Sequence, residues 1–270
     1  MEKYYFVTTC VMFAVIGLCV GSFLNVVVYR LPLGMNLAKP DSHCPNCKNH
    51  IAWYDNIPIL SYLILRGKCR HCKLPISPRY IFVEFINGML WLASVFAFYE
   101  KGIWYIIACA LFLSILLTMS LCDLENLFIP DTLQIALAIV AIGAIFADNI
   151  GYEQKLIGLA VGGGFFLIFY FLAFIMFGRE GLGFGDVKLM AGVGLFLGWK
   201  NVIVGVIISV FSALVIIAIS KLFFNKKTDM QGMSDGSSEE IPFGPFLAFG
   251  ATIALFFGNT IIDMYLSLIF

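Results

Sequence analysis

Charge is scarce in this chain: 13% of its 270 residues are Asp, Glu, Lys or Arg, and the formal net charge is zero. Together with a 61% hydrophobic content and a mean hydropathy of +0.94, that shortage excludes an ordinary soluble globule. No stripe of Lys and Arg lies along any predicted face, so nucleic acid is not an expected partner. Strict apolar/polar alternation is also missing, which excludes a membrane β-barrel. The first apolar run, residues 5–28, is too long for a signal-peptide core and has no small-residue cleavage site after it, so it reads as a retained span. Only three histidines are present. No Ser-His or Cys-His pair is visible, so nucleophilic catalysis of that kind has no candidate.

Long apolar runs are what the chain has in quantity. Crossing the hydrocarbon core takes about 20 residues, and eight runs qualify or nearly so: 5–28, 80–99, 103–122, 130–148, 154–177, 186–199, 201–224 and 242–269. The sixth is short and rich in Gly. The expected fold is all-α, a polytopic transmembrane helix bundle of about eight spans with a single polar insertion. Residues 1–30 form the first span, 31–79 the insertion and 80–270 the remaining bundle. The insertion carries Arg30, Lys39, Lys48, Arg66, Lys68, Arg70, Lys73 and Arg79 near or within it, against Asp41 and Asp55. The positive-inside rule therefore predicts that it is cytoplasmic. Counting spans from there puts Asp123, Asp131 and the Arg179–Lys188 segment on the same side.

The insertion holds the strongest local pattern. Cys44-Pro45-Asn46-Cys47 and Cys69-Arg70-His71-Cys72 are two CxxC pairs with 21 residues between them, the arrangement of a four-thiolate tetrahedral Zn²⁺ site. A loop of about 50 residues has too little apolar surface for its own core, so a metal would supply its folding free energy. With four Cys ligands the zinc would be structural, and His43, His50 and His71 are surface residues. Cys10, Cys19, Cys109 and Cys122 fall within or at the ends of spans and read as inert packing. Between the pairs, Ile59 to Leu65 is apolar but too short to span.

Two carboxylates stand where apolar runs end or begin, and charge in that position is costly. Asp123 closes the third run, where the helix macrodipole disfavours a negative charge. Asp186 begins the sixth, after Gly181-Leu182-Gly183-Phe184-Gly185. Gly183 and Gly185 lack Cβ and permit a second backbone, such as an extended peptide, to come close. If folding unites the two Asp side chains, they share one proton and activate water for peptide hydrolysis. Other polar residues have two readings each. Asp131, after Pro130, is either a helix-start cap or a site residue. Glu84, just inside the second span, is either the partner of a base such as Arg79 or part of the site. Gly21, Ser22 and Asn25 are helix-packing residues or substrate contacts. The glycines at 158, 162, 163 and 164 read as helix packing. Residues 225–240 are a polar linker, and Pro242-Phe243-Gly244-Pro245 is an irregular span entry that has to be buried or line a cavity.

Taken together, these motifs resemble the bacterial type IV prepilin peptidases, membrane aspartic proteases of the Gly-x-Gly-Asp class. The likeness covers Gly21-Ser22-Phe23-Leu24-Asn25 through Arg30-Leu31-Pro32, both CxxC pairs, Asp55-Asn56-Ile57-Pro58, Ile76-Ser77-Pro78-Arg79-Tyr80 and Glu84. It continues with Asp123, Ile129-Pro130-Asp131, Glu180 to Asp186, and Pro242 to Pro245. Ile81 departs from it, standing where Pro is expected. The resemblance implies a catalytic pair of Asp123 and Asp186, with Gly183, Gly185, Glu84, Asp131 and Lys188 in support. It implies prepilin and pseudopilin substrates, whose short basic leader is cut at the cytoplasmic face of the bacterial inner membrane. It also implies N-methylation of the new terminus with S-adenosylmethionine, an activity associated with the Cys-containing region. Two other classes fit the residues alone: a proton-coupled transporter using the same carboxylates, and a membrane scaffold with a zinc-knuckle binding loop.

Overall fold

The computed structural model describes residues 2–39, 41–148, 151–177, 183–224 and 242–269. Among these the regular elements are helical, as hydrocarbon demands of a chain that has to pair its own backbone groups. They are α1 (Glu2–Arg30), α2 (Leu60–Ile64), α3 (Arg79–Phe98), α4 (Ile103–Asn126), α5 (Asp131–Ala147), α6 (Tyr152–Phe177), α7 (Phe184–Leu197), α8 (Trp199–Phe224) and α9 (Gly244–Ile269). A 3-10 turn, Trp53–Asn56, precedes α2. Six helices, α1, α3, α4, α6, α8 and α9, are long and apolar enough to cross a membrane. The two remaining expected spans are shorter helices, α5 with 17 residues and α7 with 14. The segment 178–182 and the linker 225–241 lie outside the described residues.

The chain forms two compact units: Met1–Thr118 with Phe146–Asp148, and Met119–Ile145 with Asn149–Phe270. In the first, α1 and α3 pack antiparallel, and small residues set their separation. A Cβ on Gly21 would stand 2.8 Å from the Glu84 Cα, so the two backbones touch there. A buried polar chain ties α4 to this pair. Asn87 donates to the Gly17 carbonyl at 2.7 Å, Ser114 bonds the Asn87 Oδ1 at 2.8 Å, and Trp91 Nε1 donates to Ser114 at 2.8 Å. Asn25 donates to the carbonyls of Gly21 and Tyr80. Each bond satisfies a polar group that would otherwise be stranded in apolar surroundings.

In the second unit α6 packs on α7 and α8 on α9. The expected glycine stripe is the reason for the first contact. Gly158 meets Gly194 backbone to backbone, Gly162 meets Met190 and Gly163 meets Ala191, whereas Gly164 faces open space. At its far end α7 stops at Gly198, whose φ of 79° breaks the helix before Trp199 starts α8. Its first turn, which carries Asp186, is thereby held against the rest of this unit by an all-buried apolar helix, from Leu189 through Leu197 apart from Ala191.

Candidate active site

Asp123 and Asp186 belong to the same unit, and both are buried. Helix α4 continues past Asp123 to Asn126, so this carboxylate sits in the last turn and not at the terminus. Asp186 lies in the first turn of α7, its backbone N–H bonded to the Gly183 carbonyl at 3.0 Å. The two are near enough for the charge of Asp123 to act on Asp186. From sequence, Asp123 faced an unfavourable helix C-terminus. The fold supplies the missing compensation: Gly244, the first residue of α9, donates its backbone N–H to Asp123 Oδ2 at 2.8 Å. Each carboxylate is thus served by the positive end of a helix, Asp186 by its own and Asp123 by α9. A Cβ on Gly244 would lie 2.7 Å from Asp123 Oδ2, so no other residue fits this approach unchanged. The irregular Pro242–Pro245 entry expected to be buried or to line a cavity ends against a catalytic candidate.

The Gly-x-Gly-Asp segment is gripped from one side and open on the other. Gly185 packs against Ile129, where an added Cβ would come to 3.4 Å, and its carbonyl accepts Gln134 Nε2 at 2.9 Å. Gln134 has no counterpart among the residues singled out from sequence. It stands in an apolar helix, three residues past the Ile129-Pro130-Asp131 motif, and its bond to the Gly185 carbonyl shows its use. Gly183 is exposed and extended (φ −65°, ψ 133°), and among the described residues only Asp186 Oδ2 lies near its missing Cβ, at 3.6 Å. That places an exposed, extended glycine beside a buried carboxylate, with its carbonyl already bonded to the Asp186 N–H. Gly181 and Leu182 lie outside the described residues.

The supporting candidates separate. Asp131 is the first residue of α5, and its carboxylate pairs with Lys188 Nζ at 2.6 Å on the surface, tying α5 to the first turn of α7. The Lys188 ammonium also lies 5.1 Å from the centre of the Phe184 ring. Asp131 thus stands at the start of α5, as a helix-start residue does, and its carboxylate also reaches across to α7. Glu84 lies in the first unit and departs from the expected pairing with a base. Its Oε2 accepts the backbone N–H of Ile59 at 2.7 Å, and Ser22 bonds to it as well.

The four Cys of the CxxC pairs converge in the first unit. Their Sγ atoms all lie within 4.8 Å of one another, with Cys44 and Cys72 3.9 Å apart. Tetrahedral metal–thiolate bonds of about 2.3 Å separate the sulfurs by roughly 3.8 Å, so this donor set fits such an ion. The two pairs are built alike. Cys44 N–H bonds Asn49 O and Lys48 N–H bonds Cys44 O, while Cys69 N–H bonds Leu74 O and Lys73 N–H bonds Cys69 O. Lys48 and Lys73 both turn the chain at positive φ, 59° and 60°. Each pair closes with an isolated bridge, His43 to His50 and Lys68 to Pro75. Backbone N–H groups of Cys72 and His71 hold the Cys69 thiol down at about 7, while burial and the neighbouring thiols push Cys72 up to about 11, as expected of sulfurs crowded together. The histidines stay outside this cluster, as expected.

Comparison with known proteins points one way. Residues 15–98 match the model of the bacterial peptidase A24 N-terminal domain, and residues 110–218 match that of the type IV leader peptidase family. A prepilin leader peptidase/N-methyltransferase of Burkholderia pseudomallei (strain 1026b) is 33% identical over 91% of this chain and 84% of its own length. One of Stutzerimonas stutzeri is 35% identical over 93% of this chain and 92% of its own. A protein of the same name from Myxococcus xanthus is 40% identical over 69% of this chain, which spans 55% of that relative. No solved structure gives a significant match.

Proposed function

The chain belongs to the type IV leader peptidase family, and from that premise we propose that it removes the leader of prepilins and pseudopilins as an aspartic endopeptidase. Asp123 and Asp186 are the catalytic pair. The observation that carries this reading is the presence in one unit of two buried carboxylates, each met by a helix N-terminus, beside the exposed and extended Gly183. Two buried carboxylates whose charges act on each other hold one proton between them. The ionised one takes a proton from water as the water oxygen attacks the scissile carbonyl carbon, and the protonated one donates to the carbonyl oxygen. A tetrahedral diol forms. On its collapse the C–N bond breaks, and the leaving amine takes a proton from the pair. The Gly244 N–H keeps Asp123 aimed without consuming the shared proton, and Gln134 holds the Gly185 carbonyl and so steadies the first turn of α7 that carries Asp186.

The four Cys would bind a structural Zn²⁺ that orders the 31–79 loop. Methylation of the new N-terminus from S-adenosylmethionine is supported by the names of the relatives. The enzyme resides in the bacterial inner membrane with the site toward the cytoplasm, a placement supported by the basic residues of the loop. A proton-relay transporter would need its carboxylates midway along spans; Asp123 is in the last turn of α4 and Asp186 in the first turn of α7, so the peptidase reading is the better one. The test is leader removal from a purified prepilin by Asp123→Asn and Asp186→Asn, followed by mass spectrometry. Both variants should fold and cleave nothing. Wild-type cleavage by either one refutes the pair.

A further inference from the structure

Glu84 has no step in the hydrolysis proposed above, yet it is buried and its partner comes from the loop. It lies five residues into α3, about 7.5 Å along the axis, and Ser22 lies eight residues before the end of α1, about 12 Å. The Ile59 N–H bonded to that carboxylate is therefore drawn back past the helix ends, alongside two membrane-spanning helices. The chain bends hard to reach it: Ile59 has φ 59° and ψ −50°, a conformation a β-branched residue keeps only when its surroundings impose it.

Beyond this pin the chain turns an apolar, uncovered face outward. Leu60, Leu63 and Ile64 share one face of α2 at helical spacing and are 51%, 61% and 66% exposed. Trp53, at 79%, and Tyr54 extend the patch. The opposite side of α2 faces the protein, with Ser61 buried and bonded to the Tyr54 carbonyl at 3.0 Å. The stretch that follows α2 in the chain is basic, and its Arg66, Lys68 and Lys73 are all exposed. Arg70, between the two cysteines of the second pair, grips Asp55 with two bonds of 2.7 and 2.6 Å and lies over the Tyr54 ring. The patch and the Cys cluster are thereby one mechanical piece.

We propose that the turn Trp53–Asn56 and α2 form an interfacial anchor, inserted into the lipid leaflet on the loop's side of the membrane, with anionic headgroups neutralising Arg66, Lys68 and Lys73. Lipid is the occupant for three reasons on the molecule itself. The pin at Glu84 holds the segment beside two spans, Trp and Tyr are the residues that settle at headgroup depth, and the exposed stretch that follows α2 is basic. The anchor fixes the height of the Cys cluster over the bilayer.

The test uses the full-length protein in nanodiscs of phosphatidylcholine, with and without phosphatidylglycerol. Emission from Trp53 is isolated as the difference between wild type and Trp53→Phe. Brominated acyl chains should quench it several-fold more strongly than aqueous acrylamide, and more so with phosphatidylglycerol present. The exposed triple change Leu60→Ser, Leu63→Ser, Ile64→Ser should reverse that preference while hydrogen exchange in α1 and α3 stays at the wild-type level. Removing the basic charges, Arg66→Gln with Lys68→Gln and Lys73→Gln, should abolish only the phosphatidylglycerol dependence. Strong acrylamide quenching with none from brominated lipid overturns the anchor. Shielding from both quenchers also overturns it and assigns the face to a protein. A wild-type response indifferent to phosphatidylglycerol overturns the headgroup contact.

Discussion

Substituting Gly244 by Ala tests the geometry of the catalytic pair without touching either carboxylate. The added Cβ would meet Asp123 at 2.7 Å from Oδ2, 3.1 Å from Cγ and 3.3 Å from Cβ. Ordinary contact begins near 3.4 Å, so the oxygen has to retreat by about 0.7 Å (3.4 less 2.7), or α9 must shift by as much. Either movement lengthens or bends the 2.8 Å bond from the Gly244 N–H. A hydrogen bond to a charged group is worth about 1.5–3 kcal/mol, and a reacting group misplaced by roughly 1 Å costs about 100-fold in rate. The expected outcome is a kcat lower by about two orders of magnitude, with KM little changed because the exposed Gly183 is untouched. The assay is prepilin cleavage by purified enzyme in lipid, with products quantified by mass spectrometry and the fold checked by helical circular dichroism. Gly183→Ala is the contrast: among the described residues its Cβ meets only Asp186 Oδ2, at 3.6 Å, so any loss should appear in KM through the substrate backbone. A Gly244→Ala enzyme with kcat within a factor of about 3 of wild type refutes the reasoning, since the effect predicted from this contact is far larger.

Gln134→Leu should lower kcat by roughly tenfold, the loss of about one buried hydrogen bond to the Gly185 carbonyl. Gln134→Glu should be worse than Leu above neutral pH, where a carboxylate faces that carbonyl, and should regain activity relative to wild type as pH falls and the introduced acid becomes a donor; parallel pH profiles would argue against the contact. Removing metal with a strong chelator should release one equivalent per chain and lower the thermal stability of the 41–79 loop, read by hydrogen exchange, with Cys44→Ser mimicking the effect and Cys109→Ser not doing so. Lys188→Met should change cleavage only modestly, because its 2.6 Å pair with Asp131 is exposed and such pairs contribute about 0–1 kcal/mol; a total loss would give Lys188 a direct role in catalysis.

Much of this molecule is carried by local chemistry that needs no neighbours to be read. Hydrocarbon length and the shortage of charge determine a helical membrane protein, because an apolar run cannot leave its backbone unpaired in lipid. The CxxC spacing determines the Cys cluster, since thiolate ligands three residues apart can only converge by turning tightly, as the chain does at Lys48 and Lys73. The two aspartates stand out because each sits where an apolar run breaks. Tertiary structure decided what each polar group meets. The Asp123 carboxylate is answered by the Gly244 N–H 121 residues away, and no local pattern encodes a contact at that separation. Glu84, by its neighbours in sequence a partner for Arg79, turned instead to the Ile59 amide, because the loop folds back between the ends of α1 and α3. Asp131, a helix cap by position, was drawn to Lys188 once α5 and α7 lay side by side. Gln134 carried no signal at all. An amide in an apolar helix acquires a purpose only when packing brings it a carbonyl, and packing is a property of the whole fold.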